Sequence, residues 1–294
     1  MRANLIRALL HLSARLPLRF NHLCGALLGR WLMLGDNELK RVAQTNLNVC
    51  FPELNPAQRQ RLLRQNLAET GKAFFESGRL WLGNQQRFAE LVATVHGGQH
   101  LQHALAQSKG VILAIPHLGN WEVIGLYCSS HYPMTSLYRP PRQAALDALI
   151  RRAREHFGAK LVPTTAKGVR ALYQALAHNE VVAILPDQDP RDSGGQFAPF
   201  FGIQANTMTL LSRLAGKSGA TVLCCYAERL PRARGFAIHF APAPDALYAK
   251  DLETSLTALN QMVEQAVRRL PTQYQWGYKR FRTRPAGEAD IYDR

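Results

Sequence analysis

The chain has 294 residues, 47% of them hydrophobic, which suffices for a substantial core in one large or two ordinary domains and excludes wholesale disorder. Its 36 Lys and Arg against 21 Asp and Glu give a formal net charge of +15, which disfavours neutral or cationic partners. Nucleic acid, an anionic membrane surface, a phosphorylated substrate or an acidic protein remain as classes of partner. The five cysteines, Cys24, Cys50, Cys128, Cys224 and Cys225, form no Cys-X-X-Cys pair and read as small core residues in a reducing compartment.

In chain order, Leu5, Leu9, Leu12 and Leu16 fall on one helical face with Arg7, His11 and Arg15 on the other, until Pro17 ends the pattern. A second apolar segment, Phe20 to Leu34, carries Leu23, Leu27, Leu28 and Trp31. Arg30 interrupts it, and it falls short of the ~20 residues that a comfortable membrane span needs. The two together predict an interfacial membrane anchor over 1–35, ahead of the main domain over 36–294. Packing of both helices on that domain as an ordinary hairpin is the alternative. No small-residue cleavage site follows, so the segment is expected to be retained.

A helix is predicted over 56–82, opened by Pro56 and carrying Leu62, Leu63, Leu67, Phe74 and Phe75. From about residue 93, apolar runs alternate with helical patterns. Strands are expected at Val111 to Ile115, Thr135 to Tyr138, Lys160 to Val162, Val181 to Leu185, Thr221 to Tyr226 and Phe236 to Phe240. Helices are expected near 120–130, 143–157, 166–178, 207–217 and 251–270. Such alternation predicts an α/β fold with a central mixed sheet flanked by helices.

The chemistry concentrates in Ile115-Pro-His-Leu-Gly-Asn-Trp-Glu122, one imidazole and one carboxylate five positions apart directly after an apolar run. On one continuous helix those side chains diverge by about 140°. They can meet if His117 lies in the turn after a strand and Glu122 in the first turn of the next helix, reaching back as in a capping box. Glu122 would then fix the imidazole tautomer and leave neutral His117 as a general base, with amides near Gly119 to Trp121 aimed at an oxyanion. Blander roles, a strand-end histidine and a carboxylate at a helix N-terminus, also fit the bare spacing. The His-Glu-X-X-His pattern of a zinc hydrolase is missing, and neither a metal nor a cofactor is expected.

Further candidates follow other strands. Asp187, Gln188 and Asp189 lie at the carboxyl end of the Val181 run, ahead of Gly194, Gly195 and the aromatic residues Phe197, Phe200 and Phe201 with Gly202. An exposed aromatic cluster there would suit an acyl chain, although aspartates in such turns often only bond local backbone. Arg139 has a guanidinium suited to phosphate or carboxylate, and Arg154 could pair with Asp187 or lie on the surface. Trp276-Gly-Tyr-Lys-Arg-Phe-Arg-Thr-Arg-Pro285 interleaves cations with aromatics, a pattern compatible with single-stranded nucleic acid but better matched, beside a cationic amphipathic N-terminus, to lipid headgroups.

These motifs together closely resemble the bacterial lipid A biosynthesis acyltransferases, the late lauroyl and myristoyl transferases of lipopolysaccharide assembly, over almost the whole chain. The matching pieces are Arg41 with Thr45-Asn-Leu47, Cys50-Phe-Pro-Glu53, His117-Leu-Gly-Asn-Trp-Glu122 and Tyr138-Arg139. They continue with Arg154 ahead of Phe157-Gly158, Pro186-Asp-Gln-Asp189, Phe197 with Pro199-Phe-Phe-Gly202, Thr207, Trp276, Lys279-Arg-Phe-Arg282 and Arg284-Pro285. Gly277-Tyr278, where relatives often carry a histidine, and Gln188 depart from the pattern.

The resemblance implies a glycerolipid-acyltransferase-like fold and an enzyme on the cytoplasmic face of the inner membrane. Its implied donor is an acyl-acyl carrier protein with a lauroyl-like chain, hydroxylated or not, and its implied acceptor a hydroxyl of a Kdo-modified lipid A precursor. His117 and Glu122 are the expected catalytic pair. Asn120, Arg139, Arg154, Asp187, Gln188, Asp189, Phe200, Phe201 and Gly202 are the expected substrate contacts. No nucleic-acid partner is expected. An acyltransferase of another lipid, such as a lysophospholipid or glycolipid, would share the His-X4-acid logic; a non-catalytic basic membrane- or nucleic-acid-binding protein would leave the strand-end placement of these residues unexplained.

Overall fold

The computed structural model describes residues 2–140, 144–191 and 194–293, with side-chain surroundings from residue 8 onward except 141–146. The side chains of Leu5 and Arg7, and the predicted helix start at 143, lie outside the described residues. Four helices come first: α1 (Arg2–Arg15), α2 (Leu18–Leu34), α3 (Glu38–Cys50) and α4 (Pro56–Leu82), then the short α5 (Gln85–Ala89). Strands and helices then alternate as β1 (Val92–His96), α6 (Gly98–Ala106), β2 (Val111–Ala114), α7 (Trp121–His131), β3 (Met134–Tyr138), α8 (Ala144–His156), β4 (Ala159–Pro163), α9 (Ala166–Ala177) and β5 (Val181–Ile184). A hairpin of β6 (Gly195–Phe200) and β7 (Ile203–Met208) precedes α10 (Leu210–Ser218), β8 (Thr221–Arg229), β9 (Phe236–Pro242) and α11 (Leu252–Arg269).

Seven strands form one mixed sheet in the order β1-β9-β8-β2-β5-β3-β4, parallel throughout except for the antiparallel β8–β9 pair. The unbroken apolar runs of β2, β5 and β8 occupy its middle because both their faces are covered. Ile112, Ala114, Val182, Ile184, Val222 and Cys224 face the core shared with α3, α4, α9, α10 and α11. Val111, Leu113, Val181, Ala183, Leu223 and Cys225 face the opposite core, which α6 and α7 cover. Adjacent Cys224 and Cys225 therefore point to opposite sides, and all five cysteines are free thiols. Burial pushes Cys128 and Cys224 up to about 12, so both act as small apolar residues.

α4 begins at the predicted Pro56, and its start is secured by a capping box in which Asn55 accepts from the Gln58 amide (2.9 Å) and donates its own amide to Gln58 Oε1 (2.8 Å). Along its length α4 receives α1 and α2. Close approach requires glycine at the crossing: a Cβ on Gly25 would fall 2.4 Å from the Lys72 backbone nitrogen, and one on Gly71 would fall 2.1 Å from the Gly25 carbonyl. The N-terminal segment thus packs as a helical hairpin on the remainder of the protein. It nevertheless keeps an outward apolar stripe, Phe20, Leu23, Leu27, Trp31 and Leu34, at helical spacing along α2. Among the described residues no helix is long and apolar enough to cross a membrane.

A buried polar network ties the hairpin to the sheet. Glu76 of α4, fully buried, accepts from Arg229 at the end of β8, from Asn120 Nδ2 (2.8 Å), and lies 2.6 Å from His22 Nε2 of α2. Arg229 also donates to Glu69 (2.8 Å), which pairs with Lys72. Burial alone would push the Glu76 carboxyl up, but the charge and hydrogen bonds of Arg229, aided by His22, override it and hold the pKa down to about 2.

Three expectations need correction here. Phe200 and Phe201 are not an exposed cluster: both are buried, stacked edgewise on each other (4.9 Å) and packed with Phe51, Tyr274 and Trp276, because Phe200 ends β6 over the core and Phe201 follows it into the turn. Phe201 and Gly202 are the two turn residues of the hairpin, with φ +52° and +75° as a tight twisted turn demands, and neither meets the cavity described below. Nor does the C-terminal basic run face outward as a unit, since Arg280 is buried, donating to the Asn206 carbonyl (2.7 Å) and Thr207 Oγ1 (2.9 Å). Lys279 pairs with Glu38, and Arg284 pairs with Glu288.

Because the Glu76 carboxyl is depressed from the ordinary 4.5, it adds stability that is fully present above that value and is lost as the pH falls towards about 2. Thermal unfolding of wild-type protein over that window should show a steep loss, flattened in Glu76→Gln. At neutral pH Glu76→Gln should cost roughly 3–5 kcal/mol, because it leaves the Arg229 charge under-compensated. Equal acid sensitivity of the two proteins would contradict this.

Candidate active site

His117 stands three residues beyond the end of β2, and Asp187 three residues beyond the end of its parallel neighbour β5. Because Ala114 is paired with Ile184, equal advances along both chains bring the two residues side by side. His117 Nδ1 lies 2.8 Å from Asp187 Oδ1, and the His117 backbone N–H donates to Oδ2 (2.9 Å). An ionised carboxylate only accepts, so in the neutral ring Nδ1 carries the proton and Nε2 is the bare nitrogen. That nitrogen accepts from the Gln188 side-chain amide at 3.2 Å, and the same amide donates to Gln275 Oε1 (3.0 Å). The Trp121 ring packs edgewise on the imidazole at 4.8 Å. Burial would raise the Asp187 carboxyl, but the neighbouring imidazole and its two hydrogen bonds lower it below the usual carboxylate range.

The turn between β2 and α7 is built for this placement. Leu118 bridges to Tyr274, and Gly119 bridges to Ala227 of β8. Gly119 has φ +65°, and a Cβ there would fall 1.9 Å from the Ala227 carbonyl oxygen, so only glycine allows the approach.

Glu122 does not reach the imidazole as the local spacing suggests. As the second residue of α7 it faces α8, where Arg154 Nε and Nη2 donate to both its oxygens, at 2.9 and 2.5 Å. Burial opposes ionisation of Glu122, but Arg154, the indole of Trp81 and the nearby His117 together lower its pKa. Arg154 is in turn packed over the Tyr138 ring (5.3 Å), whose hydroxyl donates to Asp147 of α8 (2.8 Å). Arg154 therefore pairs with Glu122, not Asp187. The amides expected to stabilise an oxyanion are partly committed: Gly119 N–H donates to the Gln273 carbonyl (3.0 Å) and Asn120 N–H to the Ala227 carbonyl (2.9 Å).

These groups border a cavity of ≈ 760 Å³. His117, Trp121, Glu122, Arg139, Arg154 and Gln188 provide its polar wall, and Ile115, Met134, Leu137, Ala159, Ala183 and Leu185 are among its apolar lining. Gly125 of α7 opens onto it, and a Cβ built there meets nothing within 4 Å. Asp189 touches the cavity but is structurally engaged: it accepts from the amides of Arg191 (2.7 Å) and Thr283 (2.9 Å) and from Asn206 Nδ2 (2.9 Å). Asn120 lies just outside, in the Glu76 network. Gln275, which holds the Gln188 amide, and Arg213, which lines the mouth, carry no motif in the sequence that would single them out. Among the described residues no cluster of three or more His, Cys, Asp or Glu is arranged to hold a metal ion.

A partly apolar cavity with the His117 imidazole on its wall agrees with what comparison of the whole chain finds. The sequence profile describing the bacterial lipid A biosynthesis acyltransferase matches residues 3–283. The lipid A biosynthesis palmitoleoyltransferase of Escherichia coli (strain K12) is 29% identical over 255 residues, covering 85% of this chain and 81% of that protein. The lauroyltransferase of the same organism is 28% identical over 284 residues, covering 96% and 92%, and its myristoyltransferase 25% identical over 281 residues, covering 95% and 86%. The chain belongs to the bacterial lipid A biosynthesis acyltransferase family, and is a transferase of lipopolysaccharide biosynthesis.

Proposed function

We propose that the protein moves a lauroyl-like acyl chain from an acyl-acyl carrier protein to a hydroxyl of a Kdo-modified lipid A precursor, with His117 as general base. The observation that carries this reading is the His117 imidazole, bare at Nε2 on the wall of the cavity and hydrogen-bonded at Nδ1 to Asp187. Nε2 takes the proton of the acceptor hydroxyl as its oxygen attacks the thioester carbonyl. The tetrahedral intermediate collapses, the carbon–sulfur bond breaks, and the departing thiolate recovers the proton from the imidazolium. No acyl-enzyme is needed, since the acceptor oxygen is itself the nucleophile.

In this scheme Asp187, rather than Glu122, fixes the tautomer and pairs with the imidazolium. Glu122 acts through Arg154, holding that guanidinium on the cavity wall beside Tyr138. The donor chain occupies the apolar part of the cavity, past Met134 and Ala183. The +15 charge supports docking of an acidic carrier protein and of a phosphorylated acceptor. The apolar stripe of α2, flanked by Arg19 and Arg30, supports seating on the anionic cytoplasmic face of the inner membrane.

His117→Ala should lower kcat by about 10²–10⁴-fold with the donor KM little changed, measured with purified acyl-acyl carrier protein and acceptor. Wild-type turnover in that variant would refute the assignment. Asp187→Asn should lose about 10²-fold or more and Glu122→Gln distinctly less, because only the former strips Nδ1 of its ionised acceptor. Since the Asp187 pKa is lowered, the carboxylate stays charged through the working pH range and wild-type activity should show no acid limb from its titration. The opposite ranking of the two variants would make Glu122 the orienting residue.

A leucine at Gly125 would project into the cavity and shorten the preferred donor chain. Each methylene denied burial is worth ~0.8 kcal/mol, or roughly fourfold in kcat/KM. Competition between donors of graded length, read by mass spectrometry of the product, checks this; an unchanged chain preference in Gly125→Leu would place the acyl group elsewhere.

A further inference from the structure

Helix α8 has two working faces. Ile150 and Arg154, one turn apart, look into the catalytic cavity, whereas Leu149 and Ala153, and beside them Arg152 and His156, border a separate groove of ≈ 530 Å³. The groove's other walls are the carboxyl ends of α1, with Leu10 and His11, and of α4, with Trp81 and Leu82. Its floor is apolar: Leu10 and Ala153 are buried, and Trp81, Leu82 and Leu149 are half-buried. Its rim carries His11, Arg152 and His156, all exposed, and no carboxylate lines it among the described residues.

Trp81 connects the two spaces. Its indole forms part of the groove wall and is near enough to Glu122, which borders the catalytic cavity, to help hold that carboxylate ionised. Leu12, the residue after His11 in α1, is 55% exposed, and α1 belongs to the same N-terminal hairpin that carries the apolar stripe of α2.

We propose that this groove binds a hydrocarbon chain already esterified to the lipid acceptor, with Arg152 and the two imidazoles at the rim receiving an acceptor phosphate. The inference rests on the acyl-transfer reading and extends it to the acceptor side. That reading fills the catalytic cavity with the donor chain, so any acceptor chain drawn out of the membrane with the reacting hydroxyl needs a second apolar surface near it. A second apolar trough sharing α8 with the cavity, basic at its rim and facing the hairpin with the apolar stripe, matches a phosphorylated lipid in both its apolar and its anionic parts.

Two measurements test it. In the first, an acceptor carrying a diazirine in one existing acyl chain is photolysed with wild-type protein, and the labelled peptides are mapped. Label should fall on 81–83 and on Leu149, Arg152, Ala153 or His156; label confined to α2 or to cavity residues, Ile150 and Arg154 included, overturns the proposal. In the second, Ala148→Trp fills the groove from an exposed position. It should raise the KM for the fully acylated acceptor about tenfold, keep kcat within about twofold, and collapse the KM advantage of that acceptor over a derivative stripped of its other chains. An unchanged ratio between the two acceptors overturns the proposal, as does an equal loss on both. Labelling of the groove without acyl transfer by wild type would sink the proposed activity and keep the lipid site. Transfer by wild type with label elsewhere would do the reverse.

Discussion

The parallel register between β2 and β5 is the constraint on which the site depends. With Val111 opposite Val181 and Ala114 opposite Ile184, an offset of seventy positions is carried intact past both strand ends, so His117 meets Asp187 without either chain bending to find the other. The His117 backbone takes part as well as its side chain, since its amide donates to the carboxylate that also holds its ring. Ligand sites gather at the carboxyl ends of such strands because loops diverge there over a rigid sheet. Here the divergence is pinned on a third side, where Gly119 rests on Ala227 of β8.

A second device fixes the N-terminal hairpin to this frame. Burying Glu76 and Arg229 costs desolvation that their mutual attraction roughly offsets, so the pair contributes more to a unique arrangement than to stability. His22, Asn120 and Glu69 fill the remaining hydrogen-bonding capacity. The consequence is geometric. α2, which carries the outward apolar stripe, and Asn120, which stands at the N-cap position of the helix after the histidine turn, share one carboxylate. A surface seated on α2 would therefore stand at a set distance and angle from the histidine turn.

Much of this was legible in the residues. The runs at β2, β3, β4, β5, β8 and β9 announce strands through length and apolar content, and α4 and α11 through period and caps. β1 escaped because it is an edge strand whose residues are mostly exposed, and the β6–β7 hairpin because Gly194 and Gly195 read as loop while the turn signal, Phe201-Gly202, is shielded by aromatics that read as surface. His117 and Asp187 were both visible as strand-end residues. Their partnership was not, because it follows from strand pairing across seventy residues, whereas His117 and Glu122 are near in sequence and invite a local pairing. The basic C-terminal motif misled similarly: composition shows cations, but only tertiary packing shows that Arg280 spends its charge on the Asn206 carbonyl inside the core.

The separation of the two carboxylates has its own chemical logic under the proposed mechanism. An imidazole flanked by two uncompensated anions would favour its protonated form before substrate arrives, and a protonated ring cannot accept the hydroxyl proton. Arg154 engages both oxygens of Glu122, so that carboxylate is neutralised where it stands and Asp187 is the one anion in direct contact with the ring. A single paired carboxylate stabilises the imidazolium as it forms and gives little to the neutral ground state beyond a tautomer preference. That difference between the two states is what accelerates a reaction, and attraction that is equal in both does not. The salt bridge on α8 is thus the feature that allows a second acid to sit near the base without disabling it.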